Sequence, residues 1–286
     1  MNNNLHMIVD SISCAQQTNI LEDERVHLVC ISASMNGQEW VDGEISSEEM
    51  VDLIKKEGKL PKTSQPPLGE VIDLFTRLVK DGKKVMFITV SSGLSGTYQT
   101  AASAAKEVMK ENPGSDIRVI DSKTGGLPVT NATRLVLEKA DAGCDDMDEL
   151  EAYARDLVSR IRSFYAVETL EHLRIGGRIG RASALLGSFL GIRPILTLDA
   201  EGKVIPCDKV RSRKKVLKRI MEIASEQGEL EEITVMGALC DEDIAYISGE
   251  MQARYPDVPI YSSQIPMSLL IHLGPGIIAI FVRIKK

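Results

Sequence analysis

The sequence predicts an α/β protein of two domains: an N-terminal doubly wound parallel sheet and a C-terminal α/β domain with a mixed or antiparallel sheet. Three observations lead there. Up to about residue 160, short apolar runs alternate with amphipathic stretches of helix length, the pattern of βαβ units whose sheet is covered on both faces. Beyond it, "RPILTLDAEGKVIPCDKV" sets two strands on either side of a turn at Ala200 to Gly202, a hairpin that belongs to an antiparallel or mixed sheet. The length agrees, since 286 residues with 43% hydrophobic content, at roughly 150 residues per domain, suggest two cores. The expected domains are residues 1–160 and 161–286.

Taken in order, "HMIVDS" and "VHLVCISAS" read as short buried strands. "SSEEMVDLIKKEG" has a Ser cap with Glu three residues on, apolar positions at helical spacing and a closing glycine, so it is a helix. The alternation continues with helix "PPLGEVIDLFTRLVKDG", strand "KKVMFITVSS", helix "GTYQTAASAAKEVMKENP", strand "DIRVIDS" and helix "PVTNATRLVLEKADAG". A charged amphipathic helix, "DDMDELEAYARDLVSRIRS", precedes the change of texture. Then come strand "FYAVE", helix "TLEHLRIG", glycine-rich "GGRIG" and the hairpin. Helix "RSRKKVLKRIMEIASEQ", strand "EITVMGALC", helix "DEDIAYISGEMQARYP" and strands "VPIYSSQI" and "IIAIFVRI" complete the chain.

A formal net charge of -7 argues against a general nucleic-acid binder, which needs concentrated Lys and Arg. The start "MNNNLHMIVDS" has no basic stretch followed by an apolar one, and no apolar run approaches the roughly 20 residues of a membrane helix, so a cytoplasmic location is expected. Cys14, Cys30, Cys144, Cys207 and Cys240 are odd in number and scattered, which supports neither a disulfide framework nor a zinc site. His6, His27, His172 and His272 do not pair at i, i+4 either, so no metal is expected.

The chemistry gathers in loops. In a parallel sheet, ligands bind outside the carboxyl ends of the strands. The loops there carry Asp10-Ser11, the stretch "SSGLSGTY" from Ser91 to Tyr98, and Asp121 to Gly126, while "PKTSQPP" adds Thr63, Ser64 and Gln65 before a helix. Hydroxyls and helix N-termini are the ingredients of an anion site, and each loop alone also reads as an ordinary helix cap. Neither a GxxxxGKS/T loop nor a glycine fingerprint between strand and helix is present, so no nucleotide cofactor is expected. A second reading is a serine-dependent hydrolase using Ser95 or Ser92 with His272, although no GxSxG elbow occurs.

The motifs "MIVDS", "KTSQPPLGE", "SSGLSGTYQTA", "VIDSKT", "VETLEHLRIGGRIGRASALLGSFLGIRPIL", "GKVIPCDKVRSRKKVL" and "HLGPG" together resemble the DegV family, which includes the fatty-acid-binding subunits of bacterial fatty acid kinase. They run in family order from residue 8 to residue 276. The resemblance implies a DegV-like two-domain fold holding a long-chain fatty acid in a tunnel between the domains. It also implies a partner, a separate ATP-binding fatty acid kinase subunit, which phosphorylates the carboxylate to an acyl phosphate for phospholipid synthesis. The chain itself would then be a lipid-binding subunit and not an enzyme. By the family pattern Thr63, Ser64, Ser95, Gly96, Thr97 and His272 fall at the carboxylate. The first loop reads "VDSISCAQQ" where the family favours Thr-Asp-Ser, and Leu273 stands where Thr is usual.

Burying about 15 methylenes at roughly 0.8 kcal/mol each offers on the order of 12 kcal/mol, so the tail supplies the affinity. Neutral hydroxyls leave a carboxylate oxygen open for attack on ATP, whereas a bidentate Arg clamp would occupy both. "SALLGSFLGIRPIL" reads as a buried apolar helix or as tunnel wall through Leu185, Leu186, Phe189 and Leu190, and Met267 and Leu270 also line the tunnel in this reading. The run Lys209, Arg211, Arg213, Lys214, Lys215, Lys218, Arg219 reads as a solvated helix face or as a docking surface for an acidic partner or, transiently, a membrane surface. Nucleic acid is disfavoured there, because no aromatics are interleaved. Arg178 is the kinase-docking residue that the resemblance implies, with Arg211 beside it in the same expectation.

Overall fold

The computed structural model describes residues 4–186 and 191–286. The chain runs β1 (Leu5–Asp10), β2 (Val26–Val29), β3 (Ser32–Met35), β4 (Gln38–Val41), α1 (Ser47–Glu57), β5 (Lys62–Ser64), α2 (Leu68–Lys80), β6 (Lys84–Thr89), α3 (Thr97–Glu111), β7 (Ile117–Asp121), α4 (Leu127–Asp141) and α5 (Met147–Ser159). It continues through β8 (Ile161–Ala166), α6 (Glu171–Ile175), a 3-10 turn at Gly180–Leu185, β9 (Arg193–Leu198), β10 (Val204–Val210) and α7 (Arg213–Ser225). β11 (Leu230–Gly237), α8 (Asp241–Arg254), β12 (Ile260–Gln264), α9 (Met267–Leu273) and β13 (Ile278–Ile284) follow. These elements form two units, one of residues up to Ser32 together with Ser64–Ser159, the other of Ala33–Thr63 together with Arg160–Lys286.

In the first unit four parallel strands lie in the order β2-β1-β6-β7. The central strand β1 is buried along its whole length, as a strand covered on both faces must be. Phe75 and Leu78 of α2 and Ala101, Ala104 and Val108 of α3 pack on Ile8, Val85 and Phe87 of the sheet. Helix α4 covers β1 and β6 from the other side. The chain passes from β1 outward to β2 and from β6 outward to β7. The strand order therefore reverses between β1 and β6, the place where a doubly wound sheet opens a crevice at its carboxyl ends.

The second unit holds a mixed six-stranded sheet in the order β10-β9-β8-β13-β11-β12, antiparallel except for the β11–β12 pair. Val216 and Ile220 of α7 and Ile244 and Ile247 of α8 close its core against Ile233, Val235 and Ile280. The α/β class with a parallel and then a mixed sheet thus agrees with the sequence pattern. A smaller sheet, β4-β3-β5, belongs to this unit as well.

Three details differ from the sequence reading. Residues 33–63, expected within 1–160, pack with the C-terminal part of the chain. "VHLVCISAS" is not one strand: β2 joins the parallel sheet, while β3 turns through Asn36 and Gly37 into β4. Both turn residues have positive φ (55° and 81°), the geometry that Asn-Gly favours in two-residue hairpins, and that dipeptide was the available signal. The charged helix ends at Ser159, because Ile161–Ala166 is claimed by pairing with β13 and β9. Tertiary pairing overrides helix propensity there.

Phe87 is fully buried at the centre of the first unit. Phe87→Ala is expected to cost about 3–5 kcal/mol, read as a lowered denaturant midpoint with unchanged slope. A loss within that of an exposed substitution would show that the packing described here is wrong.

Candidate functional site

In the first unit the turn Ser91–Gly96 links β6 to α3, and the strands on either side hold it by its backbone. Asp10, the last residue of β1, accepts the Val90 N–H on Oδ2 at 2.6 Å. Asp121, the last residue of β7, accepts the Ser92 N–H on Oδ1 at 3.1 Å. Burial pushes the Asp121 carboxyl up, but hydrogen bonds from Lys123 and Ser92 outweigh it and leave the group below its ordinary range. The two aspartates that end neighbouring strands therefore fix the turn rather than face a ligand. Ser91 N–H closes the third side on the Thr124 carbonyl at 2.7 Å.

Held in this way, the turn presents hydroxyls at a helix start. Ser95 Oγ lies 2.9 Å from Thr97 Oγ1 and accepts the Thr97 N–H at 3.3 Å. Gly96 occupies the N-cap of the 15-residue α3 without a side-chain cap, so the positive end of that helix is left to backbone amides. Gln65 packs against the glycine: a Cβ on Gly96 would stand 1.7 Å from Gln65 Oε1, so a larger residue would displace that amide. Gln65 Nε2 in turn donates to Thr100 Oγ1 at 2.5 Å, one helical turn into α3. The sequence reading placed Gln65 in this loop without giving it a role.

In the second unit Thr63 of β5 and His272 of α9, 209 residues apart, meet at 2.8 Å between Oγ1 and Nε2. Burial lowers the His272 pKa to about 4, with help from the nearby charges of Arg178 and His172, so the ring is neutral at pH 7. Nδ1 is buried and has no hydrogen-bond partner among the described residues. An orphaned acceptor is the cheaper state for a buried nitrogen, since orphaned N–H groups are the rarer exception. The proton therefore sits on Nε2, which donates to Thr63 and leaves the threonine's own O–H pointing elsewhere as a donor. Gly176 makes room for this ring. A Cβ there would stand 2.2 Å from Nδ1, while the backbone φ of -71° would suit alanine, so space alone demands glycine.

The other expected residues are more dispersed. Ser64 is exposed beside Thr63. Met267 and Leu270 are buried on α9, Leu185 is half-buried, and Leu186 is 42% exposed. Phe189 and Leu190 lie outside the described residues, and the preceding stretch Gly180–Leu185 is a 3-10 turn instead of the start of a buried helix. Arg178 is half-buried and donates to the Gly176 carbonyl at 2.6 Å, and Arg211 is exposed at the entrance to α7. The basic run is less uniform than its sequence suggests. Arg213 is tied to Glu168 and Asp243, and Arg219 to Asp208, Glu222 and Glu226.

Neither serine of the hydrolase reading is paired with an imidazole. The Ser95 hydroxyl bonds Thr97 and the Ser92 hydroxyl accepts from Lys123 Nζ at 3.2 Å. His6 and His27, which sequence spacing kept apart, stack across β1 and β2 with 2.8 Å between ring nitrogens. Among the described residues no group of three or more His, Cys, Asp or Glu side chains is placed to hold a metal ion. No helix among them is long and apolar enough to cross a membrane.

Comparison with known proteins gives one consistent result. The family model described as "Uncharacterised protein, DegV family" matches residues 4–285. Protein DegV of Bacillus subtilis is 31% identical over 285 residues, covering 97% of this chain and 98% of its own. The fold superimposes on a fatty acid binding DegV family protein from Streptococcus agalactiae with a TM-score of 0.87 at 28% identity, covering 99% of both chains. A DegV family protein from Thermus thermophilus described for its fatty acid binding superimposes at 0.89 with 25% identity, over 99% of this chain and 100% of that one.

The buried imidazole makes stability depend on pH. Because the His272 pKa falls from 6.5 in the unfolded chain to about 4 in the fold, its stabilising contribution is complete above about pH 6.5 and is lost as the pH falls towards 4. His272→Gln is expected to flatten part of that decline in melting temperature. A difference between wild type and variant that stays constant from pH 7 to pH 4 would contradict the buried, neutral ring.

Proposed function

The chain belongs to the DegV family, and from that premise we propose that it binds a long-chain fatty acid and presents the carboxylate to a separate ATP-dependent kinase subunit. The observation that carries the reading is the Thr63–His272 pair. A buried, neutral imidazole that spends its only proton on a threonine oxygen turns the threonine hydroxyl into a fixed donor. A fixed neutral donor suits a carboxylate that must be held and still react.

The hydroxyl of Ser95, the amides at Gly96 and Thr97 and the exposed Ser64 are the remaining donors in this proposal. Ser95, Gly96 and Thr97 stand at the start of α3, where a helix favours negative charge. None of these groups carries a formal charge, so none competes as a bidentate cation would for both carboxylate oxygens. Met267 and Leu270, with Leu185, Leu186, Phe189 and Leu190, serve the acyl chain. Burying such a chain at roughly 0.8 kcal/mol per methylene supplies most of the affinity.

The chemical step belongs to the partner. A carboxylate oxygen forms a bond to the γ-phosphorus of ATP, the bond from that phosphorus to the β-phosphate oxygen breaks, and ADP leaves. The product is an acyl phosphate, a precursor for phospholipid synthesis in the cytoplasm. Arg178 and Arg211 contribute to docking of the kinase subunit, and the basic face around Arg211 allows brief contact with a membrane surface.

Mass spectrometry of a denaturing extract is expected to recover a long-chain fatty acid, and its removal is expected to lower the melting temperature, because a ligand bound only by the native state stabilises it. Recovery of no lipid, together with no calorimetric binding of added palmitate, would end the proposal. Ser95→Ala is expected to weaken palmitate binding by about 1–2 kcal/mol while reducing kinase-dependent phosphorylation further, since the head group loses its alignment. Covalent labelling of Ser95 by a fluorophosphonate, with turnover in the absence of kinase and ATP, would favour a hydrolase instead. Arg211→Glu, at an exposed position away from the His272 ring, is expected to leave palmitate affinity unchanged and to weaken association with the kinase subunit at low salt.

A further inference from the structure

Helix α9 has seven residues, too few to be stable on its own in water. Its N-cap is Pro266, whose side chain offers no acceptor to the first-turn amides. Ser268, in that first turn, is only 1% exposed, so water is not an alternative partner. The acceptor comes from the turn after β4, 226 residues earlier. Asp42, itself 2% exposed, takes the Ser268 N–H on Oδ1 at 2.9 Å and the Ser268 hydroxyl on Oδ2 at 2.6 Å. One carboxyl group thereby satisfies two buried donors in the first turn of the helix.

The far end of α9 is gripped too. His172 Nδ1 bonds the Ile271 carbonyl at 2.9 Å, and the His172 ring packs so closely on Gly274 that a Cβ there would meet it at 3.0 Å. Arg213 donates to the Gly276 carbonyl at 2.7 Å, just beyond the helix. The small sheet β4-β3-β5 unites the two ends: Asp42 follows β4, and Thr63 lies within β5. One sheet therefore carries both the hydroxyl that His272 orients and the carboxylate that anchors the helix bearing His272.

We propose that Asp42 is a positioning residue for the Thr63–His272 pair: by capping α9 from the β4 turn, it fixes the depth and direction of the imidazole that orients the Thr63 hydroxyl. The geometric part stands on the contacts above. The consequence for a ligand rests on the fatty-acid reading.

The test is an imidazole nitrogen NMR titration of full-length, ligand-free protein, read beside calorimetry with palmitate. In wild type His272 is expected to hold its proton on Nε2 and to titrate near 4, with Arg178 and His172 as the charged or titratable groups facing it. Asp42→Ala is expected to raise that midpoint by about one unit, because the ring gains water as the helix loses its anchor, and to weaken palmitate binding about tenfold. Asp42→Asn, which keeps an acceptor for the Ser268 amide, is expected to restore most of the wild-type titration. Ser268→Ala is expected to shift it in the same direction by less.

Ser46→Ala, which breaks the capping box of α1 in the same unit, controls for general destabilisation and is expected to lower the melting temperature without moving His272. Asp42→Ala titrating like wild type, with only the stability loss of the Ser46 variant, would overturn the proposal. If Asp42→Ala does not fold, an unmoved His272 in Ser268→Ala overturns it equally. A shifted His272 in a protein that binds no palmitate would leave Asp42 its positioning role and remove the fatty-acid reading.

Discussion

Much of the candidate site depends on one hydrogen bond, that between Thr63 and His272. It joins residues 209 apart in the chain, and with the ring uncharged it adds no formal charge to the site. The surroundings serve that condition. Burial suppresses protonation, Arg178 adds unfavourable charge for a second proton, and Gly176 yields the volume the ring fills. Any side chain at position 176 would force a choice between the ring's position and the helix turn beneath it. The donor direction of one hydroxyl is thus the outcome of several independent packing constraints.

The first unit solves a related problem with opposite means. Its turn before α3 is fixed by two carboxyl groups, those of Asp10 and Asp121, which accept backbone amides and leave the face with Ser95 and Thr97 to neutral hydroxyls. A buried carboxylate that accepts amide hydrogen bonds rigidifies a loop without bidding for an anionic ligand. Lys123, a cation bonded to this turn, is paired with Asp121 at 2.8 Å.

How far the sequence reveals this varies with the range of the interactions. Strands such as β1 and β6 and helices such as α2 and α3 are legible because burial on both faces or on one stripe writes a local period. The hydroxyl turn is legible for the same reason, since Ser95 and Thr97 stand where the apolar run of β6 gives way to the helical period of α3. Thr63 and His272 were each legible as candidates but their pairing was not, because nothing in the spacing of residues 209 apart declares a contact. The assignment of residues 33–63 to the second unit was illegible locally, although Asn36-Gly37 marked the hairpin. Ion pairing was illegible as well. Arg213 and Arg219 look like free cations in a basic run until Glu168, Asp243, Asp208 and Glu226 arrive from other elements.

The excursion of residues 33–63 into the second unit has a consequence for synthesis. Ribosomes deliver the N-terminus first, so the hairpin and α1 emerge long before β8 to β13, their structural companions. Asp42 waits for Ser268, and Thr63 for His272, through some two hundred further residues of elongation. The parallel sheet, complete by Ser159, gathers from contiguous segments on either side of this idle loop. Maturation of the second unit, and with it the orientation of the imidazole, therefore waits for α9, which emerges long after the segment that carries Thr63.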